Sequence, residues 1–234
     1  MSLNVVMSFR RLSFILVVLL AVGPFAAGPA PFAQSTAATQ TPQRKTSTPY
    51  TGDLSIFETP GRDEHLHINQ VMDILAISPG KNVADIGAGS GWFTVRAAKR
   101  VSDSGTVYAV DINPEAVDYI NNRVKKEQLR NVKTILSKPD DPELPANSLD
   151  SVLLLKTYHE VANPVTLLRN LRASLRPGAH VGIIDRNGNG TDHGVQKDVV
   201  IREAGQAGYR LIEEHDDLVK AEDRVDYFLV FVTK

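Results

Sequence analysis

The stretch VADIGAGSGWF, Val83 to Phe93, sets three glycines on alternate positions behind a short apolar run that carries one acid, Asp85. Glycine has no Cβ and tolerates positive φ, so Gly87, Gly89 and Gly91 let main chain pass close to a ligand. A helix N-terminus beyond such a turn favours negative charge. The turn is therefore expected to hold a ligand that brings an anionic or strongly hydrogen-bonding group against the backbone. A second acid, Asp111, closes the next apolar run, TVYAVD, twenty residues past Gly91. A carboxylate there can accept from both hydroxyls of a ribose. The dinucleotide fingerprint G-x-G-x-x-G/A is not met, because Trp92 stands where the third small residue belongs. The ligand is thus expected to carry a ribose without a pyrophosphate.

These residues need a frame, and the chain spells one. Apolar runs of strand length at Asn82–Ile86, Thr106–Asp111, Val132–Leu136, Ser151–Leu155 and His180–Ile184 alternate with helical patterns. The helices are expected from Arg62 to the SPG stop at Ser78–Gly80, through Trp92 to Val101, from Pro114 to about Gln128, from Pro164 to the RPG turn at Arg176–Gly178, and from about Gln196 to Ala207. Asn113 is a good N-cap with Pro114 in the first helical position. Alternation with continuous apolar strands signals a doubly wound parallel sheet covered on both faces. Two last strands, Tyr209–Glu214 and Tyr227–Val232, follow each other through a charged loop and are expected to pair antiparallel. In such a sheet ligands bind at the carboxyl ends of the strands where strand order reverses, which is where the glycine turn lies.

VADIGAGSGWF followed by VYAVDINPEAV resembles motif I and the next strand of class I S-adenosylmethionine-dependent methyltransferases. LPANSLDSVLLLKTYHEV resembles that family's loop and fourth strand, and LLRNLRASLRPGAHVGIID its helix, turn and fifth strand. The resemblance runs from about Val71 to Lys234, and FETPGRDEHLH is similar to the entry segment of exported bacterial methyltransferases of unassigned substrate. It implies a seven-stranded, mostly parallel sheet ending in a reversed β-hairpin, with S-adenosyl-L-methionine as cofactor and a small molecule as methyl acceptor. It also implies roles. Gly87, Gly89 and Gly91 approach the methionine moiety and ribose, Asp85 bonds near the amino group, Asp111 holds the ribose hydroxyls and Ile112 packs on the adenine. Past the third strand many relatives carry an acid that reads the adenine amino group. Here Ser137 and Lys138 stand first, and Asp140 is expected to take that role.

Methyl transfer from a sulfonium is an in-line displacement from an already activated donor, so alignment and exclusion of water dominate. A base is required only where the acceptor must lose a proton. KTYHEV, Lys156 to Val161, follows the fourth strand and in this family faces the methyl group. His159 is the candidate base, since an unperturbed imidazole titrates at about 6.5, and Tyr158 is expected to line the acceptor pocket. A cofactor-binding module without turnover and, less well, a nicotinamide-dependent oxidoreductase are the alternatives, because fold and motif do not by themselves establish activity.

Two motifs are near misses. His65 and His67 form H-L-H without further metal partners, and are expected to belong to a mobile segment over the cofactor. DRNGNGTDHGVQ, Asp185 to Gln196, has the spacing of a calcium loop but ends on Gln196 where a bidentate carboxylate belongs. It is expected to be a flexible substrate loop, and no metal is expected.

The chain of 234 residues has a net charge of −1 and no cysteine. That balance speaks against a nucleic-acid binder working through counterion release, and the lack of cysteine excludes disulfides, thiolate metal sites and a cysteine nucleophile. No large appended domain for recognising a macromolecule is visible. Arg10 and Arg11 precede an apolar run, Leu12–Val22, and then small residues and prolines. This reads as a signal peptide over 1–33, or an uncleaved anchor that would be the protein's contact with a membrane. Residues 34–49 read as a linker and 50–234 as the domain. The address is outward, to the periplasm or anchored at the inner membrane, with the Arg10–Arg11 pair inviting twin-arginine export.

Overall fold

Seven strands form one sheet in the order β3-β2-β1-β4-β5-β7-β6. In the computed structural model, which describes residues 44–218 and 226–234, they are β1 Asn82–Ile86, β2 Thr106–Asp111, β3 Val132–Leu136, β4 Leu149–Leu155, β5 Leu175–Asp185, β6 Tyr209–Glu214 and β7 Tyr227–Thr233. The first five pair in parallel, and β7 inserts antiparallel between β5 and β6. This is the doubly wound arrangement with a reversed terminal hairpin that the sequence pattern predicts. The expected signal or anchor and most of the linker lie outside the described residues, as does part of the loop before β7.

Side chains alternate across each strand, so neighbours bury opposite ways. Ala84, Val152, Leu154, Val181 and Ile183 join one core with α5 (Pro164–Arg172) and α6 (Lys197–Gln206). Val83, Val107, Leu153 and Ile184 join the other with α2 (Ile68–Ile74) and α3 (Trp92–Val101). On that second face α4 (Pro114–Lys126) packs through Ile120 and Val124 onto Ala109. Asn113 caps α4 as expected, its Oδ1 accepting from the Glu115 amide at 2.9 Å, an arrangement worth about 1 kcal/mol.

Three expectations are corrected. The helix expected from Arg62 is two pieces, α1 (Arg62–His65) and α2, broken at His67 with φ +45. Leu66 and Ile68 are both fully buried, yet residues two apart point to opposite sides of a continuous helix; the break turns both inward. The RPG turn does not end α5, which stops at Arg172, but lies inside β5. There Leu149 pairs with Leu175 and Ser151 with His180, so Arg176–Ala179 loop out of register. Pro177 cannot donate to the ladder and Gly178 has φ +78. Finally, residues 44–49, read as linker, are seated on the fold. Arg44 Nη2 donates to the carbonyls of Tyr158 and Val161 at 2.7 and 2.8 Å, and Ser47 is buried.

Candidate active site

Strand order reverses between β1 and β4, whose carboxyl ends carry the two loops the sequence singled out. The glycine turn follows β1, and Lys156–Glu160 follows β4, ending in a single 3-10 turn at Tyr158–Glu160. The neighbours β2 and β5 end on Asp111 and Asp185. One cavity of about 900 Å³ lies over these four ends, toward the upper limit of the roughly 300–1,000 Å³ of small-molecule sites.

The turn itself is tightly fixed. Gly87 and Ala88 donate to the Val110 carbonyl at 2.8 and 3.1 Å. Gly87 has φ +72, and a Cβ there would lie 2.2 Å from Thr157 Cγ2. Only glycine allows the β1 and β4 loops to touch, and Thr157 Oγ1 donates to the Gly87 carbonyl at 3.3 Å. At Gly89, φ is +54 and the nearest atom to a Cβ is Phe57 Cδ2 at 3.6 Å. Gly91, expected near the ligand, is not among the residues lining the cavity; it caps α3 and packs on Ile120. Below the turn, Glu58 pairs with Arg123 and accepts from Ser90 Oγ at 2.6 Å.

Asp111 presents its carboxylate to the cavity with both oxygens partly engaged. Oδ2 accepts from the Gly89 amide at 2.8 Å and Oδ1 from the Asn113 amide at 2.9 Å. Each oxygen keeps a further acceptor site for a hydroxyl. Ile112 stands beside it at the cavity wall, 42% exposed. Asp85 also lines the cavity but is only 2% exposed, with Thr94 Oγ1 donating to it at 2.6 Å. Burial pushes its pKa up to about 7, Thr94 pulling the other way and Asp111 adding to the rise. Arg62, which also lines the cavity, lies 4.4 Å from the Trp92 ring centroid, and Arg96 lies 4.0 Å from it. Trp92, the departure from the dinucleotide fingerprint, is thus in contact with two guanidiniums.

On the β4 side His159 is 4% exposed and lines the cavity. Its Nδ1 lies 2.8 and 3.0 Å from the two oxygens of Asp185. That carboxylate is fully buried and also accepts from the amides of His159 and Arg186 at 3.0 and 2.9 Å. An oxygen pair that accepts from two amides acts as acceptor for the imidazole too, so Nδ1 carries a proton, and in the neutral ring Nε2 presents its lone pair. Glu160, 3.9 Å from Nε2, is pushed up to about 7, chiefly by burial, with His159 opposing.

Several expected residues fall elsewhere. Tyr158 does not line the cavity: it is fully buried in the α5–α6 core, donates to Glu203 Oε2 at 2.9 Å, and its pKa is raised well above 10 by burial. Its neighbours His159 and Glu160 in the same 3-10 turn face the cavity instead. Asp140 is also absent from the lining; its carbonyl accepts from Asn170 Nδ2, while Ser137, Lys138 and Pro139 form that wall. His65 and His67 do not cover the cavity, whereas Tyr50, Leu54, Phe57 and Arg62 do. The stretch from Asp185 is no calcium loop, because its first carboxylate is turned inward onto His159. Sequence reading missed Asp185 as the partner of His159, along with Glu160, His193 and the Arg44–Ser47 strap. A signal existed in an acid ending the strand next to β4.

A family model described as a methyltransferase domain matches residues 83–178. A demethylmenaquinone methyltransferase of Geobacillus sp. is 28% identical over 110 residues, 47% of each chain. The chain thus spans about half the length of the curated relatives it matches. A solved structure of a SAM-dependent methyltransferase from Aquifex aeolicus is 26% identical with a TM-score of 0.65, covering 77% of this chain and 97% of that one. A [4+2]-cyclase, SpnF, shares the fold at 13% identity and a TM-score of 0.61, over 82% of this chain and 88% of its own. The Aquifex protein is described as SAM-dependent, and the residues present here fit such a cofactor: a cleft over the β1–β4 switch, a strand-end carboxylate with free acceptor sites, and an apolar wall at Ile112.

Proposed function

We propose that this class I S-adenosylmethionine-dependent methyltransferase domain methylates a small-molecule acceptor held on the His159 side of the cavity. The observation that carries the reading is that one cavity joins Asp111, pinned for a diol, to the His159–Asp185 pair. Asp111 would hold the ribose hydroxyls, Ile112 the adenine, and Asp85 with Gly87 and Gly89 the methionine moiety. Bound there, the cofactor supplies a sulfonium methyl group whose carbon–sulfur electron pair stays on sulfur. His159 faces the acceptor with Nε2 and takes its proton as the acceptor–carbon bond forms, while Asp185 fixes the ring and favours the charged imidazolium. Tyr50, Leu54 and Phe57 line the cavity and would limit the water around the reacting atoms.

Calorimetric titration of the full chain with S-adenosylmethionine tests this, with NAD as control. Asp111→Ala should weaken binding at least tenfold, and an acceptor screen read by S-adenosylhomocysteine release should depend on His159. A folded chain that ignores the cofactor would refute the reading. Because fold and motif do not by themselves establish turnover, the second reading is a cofactor-binding domain without methyl transfer; cofactor binding with no acceptor in such a screen would favour it. We infer export from Arg10, Arg11 and the apolar run after them. A fusion of residues 1–40 to a reporter active only outside the cytoplasm should be active, and Arg10→Lys with Arg11→Lys should silence it if the twin-arginine route is used.

A further inference from the structure

His159, Glu160 and His193 each bring one ligand atom to a common point, all within 4.8 Å of one another. We propose that these three residues bind a divalent cation of the zinc class, with its open position toward the cavity. The proposal rests on reading that side of the cavity as the acceptor's, and it names the acceptor class: a molecule with an ionisable oxygen able to coordinate the cation.

Two imidazoles and one carboxylate are a recurrent three-ligand set for catalytic zinc, which leaves a fourth position for water or substrate. Ligands about 2.1 Å from a tetrahedral ion lie about 3.4 Å apart. His159 Nε2 and Glu160 Oε1 are already 3.9 Å apart, so modest side-chain rotation closes the site. The imidazole is arranged as a ligand is. A metal-bound histidine usually donates its other ring N–H to a carboxylate, which leaves the far nitrogen for the metal. Here Asp185 receives Nδ1 at 2.8 Å. His193 is held toward the same point from another element. Its amide donates to Ser47 Oγ at 2.9 Å, Ser47 is tied by its own amide to the His159 carbonyl at 3.2 Å, and the two imidazoles meet edge to face at 5.7 Å. The nearby Arg186 is engaged with Asp192 at 3.6 Å.

With the cation in place, His159 Nε2 is a ligand and cannot also accept the proton, so its role as base holds for the metal-free chain; the metal instead lowers the pKa of a coordinated acceptor hydroxyl. The hydroxyl's proton leaves to solvent. The oxygen's lone pair then forms the bond to the methyl carbon as the carbon–sulfur bond breaks.

The test uses the full chain, stripped with a chelator, and the metal alone. Zn²⁺ is titrated calorimetrically and Co²⁺ by its visible absorption, with S-adenosylmethionine affinity measured on the same samples. One equivalent should bind. His193→Ala and Glu160→Gln should each weaken it at least tenfold, and Asp185→Asn about 10–100-fold, while His65→Ala and His67→Ala leave it unchanged. His193 is exposed, so its loss should spare both fold and cofactor affinity. No saturable binding, or equal binding by the His193→Ala chain, would overturn the proposal. Failure of cofactor binding in the unmodified chain would instead strike the methyltransferase reading, since the metal titration needs no cofactor.

Discussion

Asp85 should make cofactor binding pH-dependent. Its carboxyl is 2% exposed and held at about 7, first by burial, against an ordinary 3.8. If its carboxylate form receives the cofactor's ammonium group, affinity follows the ionised fraction. An acid at about 7 is roughly 76% ionised at pH 7.5 and about 3% at pH 5.5. Affinity should then fall about 25-fold, or about 1.9 kcal/mol, across that window; a carboxyl at about 3.9 would give almost no change. The linked stability runs the other way. The folded state keeps a proton that the unfolded chain releases from about pH 4, so stability of the cofactor-free protein is lost as pH rises toward about 7. Calorimetry in buffers of different ionisation enthalpy should detect proton release on binding at pH 6. Asp85→Asn should flatten the affinity profile, lower affinity at pH 7.5, and raise the cofactor-free melting temperature there. Glu160 titrates in the same range, so Glu160→Gln is the control and should keep the slope. A wild-type affinity that is level from pH 5.5 to 7.5 would refute the assignment of Asp85.

The two glycines that line the cavity should part company on substitution. Gly87→Ala meets Thr157 at 2.2 Å in a left-handed conformation and should cost about 2–5 kcal/mol, visible as a drop in denaturation midpoint. Gly89→Ala has only Phe57 at 3.6 Å; it should cost about 1–2 kcal/mol and show mainly as weakened cofactor binding. Tyr158→Phe should lower stability by about 1–2 kcal/mol through the lost bond to Glu203 while leaving cofactor affinity within twofold. A large loss of affinity would restore Tyr158 to the site. Asp185→Asn should move the His159 proton from Nδ1 toward Nε2, read from imidazole ¹⁵N shifts; an unchanged tautomer would show that the carboxylate does not set it.

What the sequence made legible was what local rules govern. Apart from β5, which begins at Leu175 rather than His180, the strand runs stand within a residue or two of their expected places, as do the Asn113–Pro114 cap and the glycine turn, and Asp85, Gly87, Gly89, Asp111, Ile112 and His159 line one cavity. The misses share a cause, which is that long-range packing decided them. Tyr158 and His159 are adjacent, and only the pairing of β4 with β5 determines which of the two meets Asp185 and which meets Glu203. The RPG triplet has the chemistry of a turn, yet β5 accommodates it as a loop-out in mid-strand. Residues 44–49 carry too little apolar content to suggest packing, and they are fixed by Arg44 and Ser47 through hydrogen bonds to carbonyls more than a hundred positions away. Asp185 was hidden by a better-known pattern, since its spacing to Asn187 and Asn189 pointed outward to calcium while its carboxylate faces inward.

The two sides of the cavity use one device. At the end of β2, Asp111 spends one acceptor site on each oxygen to hold the Gly89 and Asn113 amides; at the end of β5, Asp185 likewise holds the His159 and Arg186 amides. Each carboxylate therefore fixes the loop it serves before it meets a hydroxyl or an imidazole, and little reorganisation is left for binding. The difference lies in what is left over. Asp111 is open to the cavity and can take a ligand directly, whereas Asp185 is fully buried and reaches the cavity only through His159. Exchanging the two acids for asparagine should thus give different signatures. Asp111→Asn turns donor hydrogens toward the Gly89 or Asn113 amide and should weaken cofactor binding. Asp185→Asn should leave that affinity near wild type and change the behaviour of the imidazole alone. Equal losses of cofactor affinity in both variants would mean that the two strand ends act as one unit, and the division of the cavity into a cofactor side and an acceptor side would fall.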